Sequence, residues 1–285
     1  MIFPEFDPVL LQIGPFALRW YALAYIAGIG LGWWWGRRLA EPRLWGGAEP
    51  PITKAQVDDF VLWIAVGIIL GGRLGYVLFY QPTLFVSDPL QVLRVWEGGM
   101  SFHGGFLGVC IATAVFARVN KVDILRLGDM VAPCVPFGLF FGRLANFING
   151  ELWGRVTESP FGMVFCNGRL LEQYGGACPA GPLPRHPSQL YEAALEGVVL
   201  FLILFWATHL ARLLPRKGAV TGLFLVFYGI FRVAVETVRE PDKGLENPFG
   251  IGLTMGMALS IPMILVGLVL LLRARPAPST PPQPA

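Results

Sequence analysis

Seven apolar stretches of about 20 residues, poor in charge, dominate this chain of 285 residues. A run of that length is what an α-helix needs to cross bilayer hydrocarbon, where no water is present to satisfy its backbone. The stretches lie near 16–36, 57–80, 99–117, 128–149, 188–211, 218–237 and 251–272. Glycine and polar residues dilute the third and fourth. Only 14% of the residues are charged and 54% are hydrophobic, whereas soluble domains carry about a quarter charged residues. Trp33, Trp34 and Trp35 stand just before Arg37 and Arg38, the order of aromatic belt and cation at a membrane boundary. The sequence predicts an all-α, polytopic integral membrane protein with about seven transmembrane helices.

The net charge is +3 with no long basic run, so no nucleic-acid partner is expected. The N-terminus (Met1-Ile2-Phe3-Pro4-Glu5-Phe6-Asp7-Pro8) has acids and prolines where a signal peptide carries positive charge. The stretch that follows is therefore expected to be retained. With the N-terminus outside, the inner loops and tail hold twelve Lys and Arg and the outer segments six, with four inside spans. Positive residues favour the cytoplasmic side, which predicts an N-out/C-in orientation. Residues 1–149 would form helices one to four and 188–272 helices five to seven. Residues 150–187, rich in Gly, Pro and polar side chains, read as a small external head. The proline-rich 273–285 reads as a disordered tail.

Ionisable groups in hydrocarbon are costly, and each asks for a reason. Arg19, Arg73, His103, Arg143, Glu192, Glu196, Arg232 and Glu236 all fall in the outer half of their spans. Snorkelling explains Arg19 and Arg73 taken singly. It fails for His103, which is short, and for Arg143 and Arg232, which sit deeper. Arg232 and Glu236 are four apart and share a helix face. Glu192 and Glu196 share that spacing with like charge, and call for nearby arginines. A shared polar cavity at headgroup depth answers all of these. Guanidinium grips phosphate through paired donors, so the expected ligand is an anionic lipid headgroup. Gly71, Gly72, Gly75, Gly104, Gly105, Gly138 and Gly142 would give the cavity room; the last two equally read as a close-packing pair. A transporter would place its site at the midplane between inverted repeats, and no repeat is visible. An intramembrane protease finds Ser101 beside His103 but no Gly-x-Ser-x-Gly turn. No Cys/His cluster has metal-ligand spacing, so no metal is expected.

From Gly142 to Gly154 the chain reads Gly-Arg-Leu-Ala-Asn-Phe-Ile-Asn-Gly-Glu-Leu-Trp-Gly. This run resembles the signature of the prolipoprotein diacylglyceryl transferase family. The likeness extends to Phe-Pro-Glu-Phe-Asp-Pro from Phe3, Gly-Gly-Arg-Leu-Gly-Tyr from Gly71 and Gly-Gly-Met-Ser-Phe-His-Gly-Gly from Gly98. It continues through Arg-His-Pro-Ser-Gln-Leu-Tyr-Glu from Arg185, then Tyr228-Gly229, Phe231-Arg232, Glu236, Arg239 and Pro241-Asp242. Only the head interior and the tail fall outside it. The resemblance implies seven transmembrane helices in the bacterial inner membrane, with a periplasmic head in Gram-negative species and the active site toward the periplasmic leaflet. It also implies transfer of the diacylglyceryl group of phosphatidylglycerol to the lipobox cysteine of a prolipoprotein signal peptide. The products are a thioether and glycerol 1-phosphate, in the first step of lipoprotein maturation. Phosphatidylglycerol is a co-substrate and no cofactor is expected. Arg19 departs from the pattern, since some relatives have His before Trp-Tyr, and no catalytic duty is assigned to it.

In such a reaction the substrate brings the nucleophile, and the enzyme must hold phosphate, help form thiolate and exclude water. Arg143 and Arg232 are the expected phosphate holders, stabilising charge on the departing glycerol phosphate. His103 is the leading general base. Two alternatives stay open: His103 only packs and hydrogen-bonds among the glycines, or the thiol ionises directly in the field of the arginines. Tyr21, Asn146, Glu151 and Tyr228 would orient substrate or the arginines. Arg73, Gly104 and Gln189 would line the lipid site, and Gly154 would permit a close backbone approach. Glu236 and Arg239 would support Arg232 and the outer gate. Cys110 and Cys134 read as buried apolar residues. Cys166 and Cys178 share the head, where an oxidising compartment permits a disulfide.

Overall fold

All seven apolar stretches contain a helix in the computed structural model, which describes residues 1–14, 16–84, 88–95, 98–241, 246–248, 250 and 252–275, without the side chains of Phe16 and Phe102. The helices are α1 (Trp20–Leu39), α2 (Lys54–Tyr80), α3 (Phe102–Val119), α4 (Ile124–Asn149), a short α5 (Gly168–Gln173), α6 (Ser188–Leu210), α7 (Ala219–Glu236) and α8 (Met255–Arg273). Five of them, α2, α4, α6, α7 and α8, are long and apolar enough to cross a membrane. The chain is thus a polytopic membrane protein. Asp242 and the tail from residue 276 lie outside the described residues.

Local chemistry sets where the helices begin. Thr53 and Gln56 form a reciprocal capping box ahead of α2, with Gln56 N donating to Thr53 Oγ1 at 3.2 Å and Thr53 N to Gln56 Oε1 at 2.9 Å. Asp123 caps α4 through the amides of Leu125 and Arg126. Within α4 the turn Ala132–Cys134 tightens to 3-10 geometry, where Pro133 and Pro136 remove two backbone donors. In α6 the hydrogen bonding widens to π type over Ala193–Val199 and Trp206–Leu210.

Among the described residues the chain is all-α apart from one short hairpin at its start, which shifts an expected boundary. Phe16–Arg19 was expected to open the first span, but forms β2, paired antiparallel with β1 (Val9–Ile13). Gly14, at φ +58°, reverses the chain between them, and helix begins only at Trp20. Composition alone marks residues 16–18 as apolar; their conformation depends on the strand across the turn.

Glycines knit the helices. A Cβ on Gly75 would lie 2.7 Å from the Gly104 Cα, and one on Gly71 2.8 Å from the Gly108 Cα. These positions let the α2 and α3 backbones touch. Gly104 is therefore a packing glycine of the α2–α3 pair. Gly28 meets Gly138 between α1 and α4 in the same way, at 3.0 Å. Cys110 is exposed, contrary to expectation, because the inward face of α3 belongs to these glycines.

At the end of the bundle where α1 finishes and α2 begins, Trp35, Leu39, Trp45, Phe60, Phe116, Leu127, Leu200 and Leu204 form the main core. Beneath it the fully buried Asp129 caps α7 from another helix. Its Oδ2 accepts from Gly218 N at 2.6 Å, and its Oδ1 from Thr221 N at 2.8 Å and Thr221 Oγ1 at 2.9 Å. Removing it strands buried donors, so Asp129→Ala should lower stability by about 2–3 kcal/mol. Denaturant titration in detergent reads this, and an unshifted midpoint would rule out the cap.

At the opposite end, residues 150–187 fold around Phe3, Met163, Phe165, Leu170 and Ala180. The N-terminus is part of this unit: Phe3 N donates to Val164 O at 3.0 Å and Val164 N to Met1 O at 2.8 Å. Cys166 and Cys178 are joined by a disulfide, their Cα atoms 5.1 Å apart.

Candidate active site

The end of the bundle beside that unit gathers the buried charges. The C-terminal half of α4, the first turns of α6 and the last turns of α7 converge there. Glu192, fully buried on α6, is the hub. Its Oε2 lies 3.0 Å from Arg143 Nε, and its Oε1 lies 2.7 Å from Arg232 Nη1 and 3.7 Å from Arg239 Nε. Glu236 forms the second node. Its Oε1 accepts from Arg232 Nη2 and, at 3.3 Å, from Arg239 Nη1. Its Oε2 accepts from Thr254 Oγ1 at 2.7 Å. A Cβ on Gly256 would fall 2.6 Å from Glu236 Oε1, so that glycine makes room for the carboxylate.

The two expected phosphate holders are not equivalent. Both Nη atoms of Arg232 are engaged by glutamates. Arg143 is held through Nε alone, and its Nη donors hydrogen-bond no group among the described residues. Its side chain is 19% exposed while that of Glu192 is fully buried. The fork of Arg143 is thus fixed at its root and open at its tip. A Cβ on neighbouring Gly142 would meet nothing within 4 Å, so α4 has free space beside it.

A second polar group lies where α1 meets α4. Asn146 Nδ2 donates to Tyr21 Oη at 3.0 Å and to Glu151 Oε1 at 2.9 Å. Gly150, at φ +70°, ends α4 and lets Glu151 turn back on Asn146. Gln189 Nε2 donates to Glu151 O at 2.6 Å, tying α6 to this turn. Tyr228 on α7 feels Glu196, Arg232, Arg143 and Glu192 electrostatically. Gly154 sits between two backbones, bridged to Arg239, with a virtual Cβ 2.7 Å from His186 O. Its bare backbone lets the segment that carries Arg239 close on the head.

Other expected residues are not part of the ion pairs around Glu192 and Glu236. Arg73 is buried, and its guanidinium donates to the carbonyls of Val92 (2.9 Å), Gln91, Gly98 and Gly99 (3.3 Å). It organises the segment before α3 and borders a cavity of about 120 Å³ with Tyr76 and Gln81. His103 is exposed in the first turn of α3 and is not among the ion partners of Glu192. Arg19 is exposed. Sequence reasoning counted Glu192 among the membrane charges without making it a site residue, though its like-charged neighbour was the signal. Thr254 and Gly256 went unnoticed, since only the partner Glu236 gives them meaning.

This arrangement suits an anionic ligand. The family model described as prolipoprotein diacylglyceryl transferase matches residues 8–273. A phosphatidylglycerol–prolipoprotein diacylglyceryl transferase of Phenylobacterium zucineum (strain HLK1) is 63% identical over 274 residues, covering 96% of this chain and 94% of that protein. The protein of that name from Caulobacter sp. (strain K31) is 59% identical, covering 99% and 97%. The one from Rhizobium meliloti (strain 1021) is 51% identical, covering 96% and 94%. Matched along nearly its whole length, this chain belongs to the prolipoprotein diacylglyceryl transferase family.

Proposed function

We propose that the protein transfers the diacylglyceryl group of phosphatidylglycerol to the lipobox cysteine of a prolipoprotein signal peptide. The observation that carries this reading is the open fork of Arg143, anchored through Nε on buried Glu192. The names of the relatives supply the substrates. In the reaction the cysteine sulfur bonds to the glycerol carbon bearing phosphate, that carbon–oxygen bond breaks, and glycerol 1-phosphate leaves with the electron pair. Arg143 holds the phosphate by two parallel donors. Arg232 and Arg239, fixed by Glu192 and Glu236, set the positive field in which charge on the leaving group is stabilised. Tyr21, Asn146 and Glu151 order the α1 side of the site. His103 accepts the thiol proton, and no cofactor takes part.

In this reading all seven long helices span the bacterial inner membrane, N-out and C-in. The head of residues 150–187 and the arginine site lie on the periplasmic side. The excess of Lys and Arg in the opposite loops supports that orientation.

The test is a transfer assay in detergent or liposomes with phosphatidylglycerol and a lipobox peptide, following peptide mass and released glycerol phosphate. A diacylglyceryl mass gain is expected. None from well-folded protein would sink the transferase reading. His103→Gln should slow turnover by about 10²–10⁴-fold, the usual contribution of a general base. Full turnover in that variant would leave thiol ionisation to the arginine field.

A further inference from the structure

The site contains a carboxylate that its arginines do not hold. Glu196 is fully buried on α6, one turn beyond Glu192. It belongs to the stretch where α6 widens to π geometry, a distortion that often marks functional sites. Neither of its oxygens accepts a hydrogen bond from any described residue. The other glutamates of the cluster are ion-paired, Glu192 with Arg143 and Arg232 and Glu236 with Arg232 and Arg239, although Glu192 Oε2 also accepts no hydrogen bond from a described residue. Glu196 follows by one turn the Glu192 that pairs with Arg143 and Arg232, so it borders the same cluster. Nearer the start of α6, Gln189 Oε1 is likewise buried without a donor, while Gln189 Nε2 is anchored.

Buried acceptors without donors are rare in folded proteins, because losing water without replacement is costly. Here they stand beside an arginine fork whose Nη donors find no acceptor among the described residues. A ligand carrying both an anionic group and hydroxyl donors would satisfy both sets at once. The headgroup of phosphatidylglycerol is such a ligand, with one phosphodiester and two free hydroxyls on its terminal glycerol.

We propose that Glu196 accepts hydrogen bonds from the free hydroxyls of the donor lipid's headgroup and thereby determines lipid specificity. The assignment rests on the reading that phosphatidylglycerol is the donor. Glu196 does not touch the reacting carbon. It orients the glycerol phosphate that leaves, while Arg143 holds the phosphate itself.

The experiment compares phosphatidylglycerol with phosphatidylpropanol, which keeps the phosphodiester and lacks the hydroxyls. Transfer kcat/KM and lipid retention by native mass spectrometry are read for the wild type, Glu196→Gln and Glu196→Asp. A site built to bond a hydroxyl rejects the analogue lacking it, so the wild type should prefer phosphatidylglycerol by about 100-fold or more. Glu196→Gln should narrow that ratio by about tenfold, through loss on phosphatidylglycerol alone. Glu196→Asp should restore part of it. Equal use of the two lipids by the wild type would overturn the proposal. So would a variant that slows both lipids by one factor, the mark of a carboxylate that serves packing or holds a water. Selective retention lost in the variant, without transfer from any lipid, would support Glu196 and reject the transferase reading instead.

Discussion

Arg143→Ala should lower transfer kcat/KM by about 10²–10³-fold, the effect of deleting one preorganised donor to a developing oxyanion. The protein should stay folded, because Glu192 keeps its 2.7 Å contact with Arg232. Arg143→Lys separates charge from shape. Lysine restores a cation but offers neither an Nε contact to Glu192 nor two coplanar donors. At least a tenfold loss is therefore expected in the lysine variant as well. Steady-state assays at several phosphatidylglycerol levels, beside melting curves, decide it. Near-full activity in Arg143→Lys would dismiss the forked grip.

The largest loss of stability is expected from Glu192→Ala. Glu192 is fully buried and neutralises two arginines that are themselves mostly buried, with side chains 19% and 14% exposed. Removing one partner of a buried ion pair leaves uncompensated charge and costs about 3–5 kcal/mol. Activity should fall with it, because Arg143 loses the anchor of its Nε. Glu192→Gln keeps the shape but turns an amide donor toward a guanidinium, so it should fall between the two. Thermal and chemical unfolding in detergent check this. A Glu192→Ala protein as stable as the wild type would show that the hub is not what holds α4, α6 and α7 together.

The helices were legible because their signal is local. A run of about 20 apolar residues leaves the backbone only one way to satisfy itself in a bilayer, and every such stretch holds a helix. The capping box at Thr53 and Gln56 is equally local. The hairpin at Val9–Arg19 was misread because Phe16–Arg19 is apolar either way, and only its pairing with Val9–Ile13 makes it a strand. Arg73, like Arg143, reads along the chain as a cation in an apolar run. Its donors close on carbonyls of residues 91–99, which no spacing on α2 announces.

The sequence by itself determined that the chain lives in a membrane, where its helices lie, and that its buried charges crowd toward one end. Apolar length and the cost of burying charge act residue by residue, so both can be read along the chain. The tertiary structure alone decided that Glu192 joins Arg143 to Arg232, and that among the described residues the Nη donors of Arg143 and the oxygens of Glu196 find no partner. Those outcomes depend on where a few atoms from α4, α6 and α7 meet within 3 Å or so, across tens of residues of chain. Electrostatics at that range is settled by geometry, which exists only once the helices have packed.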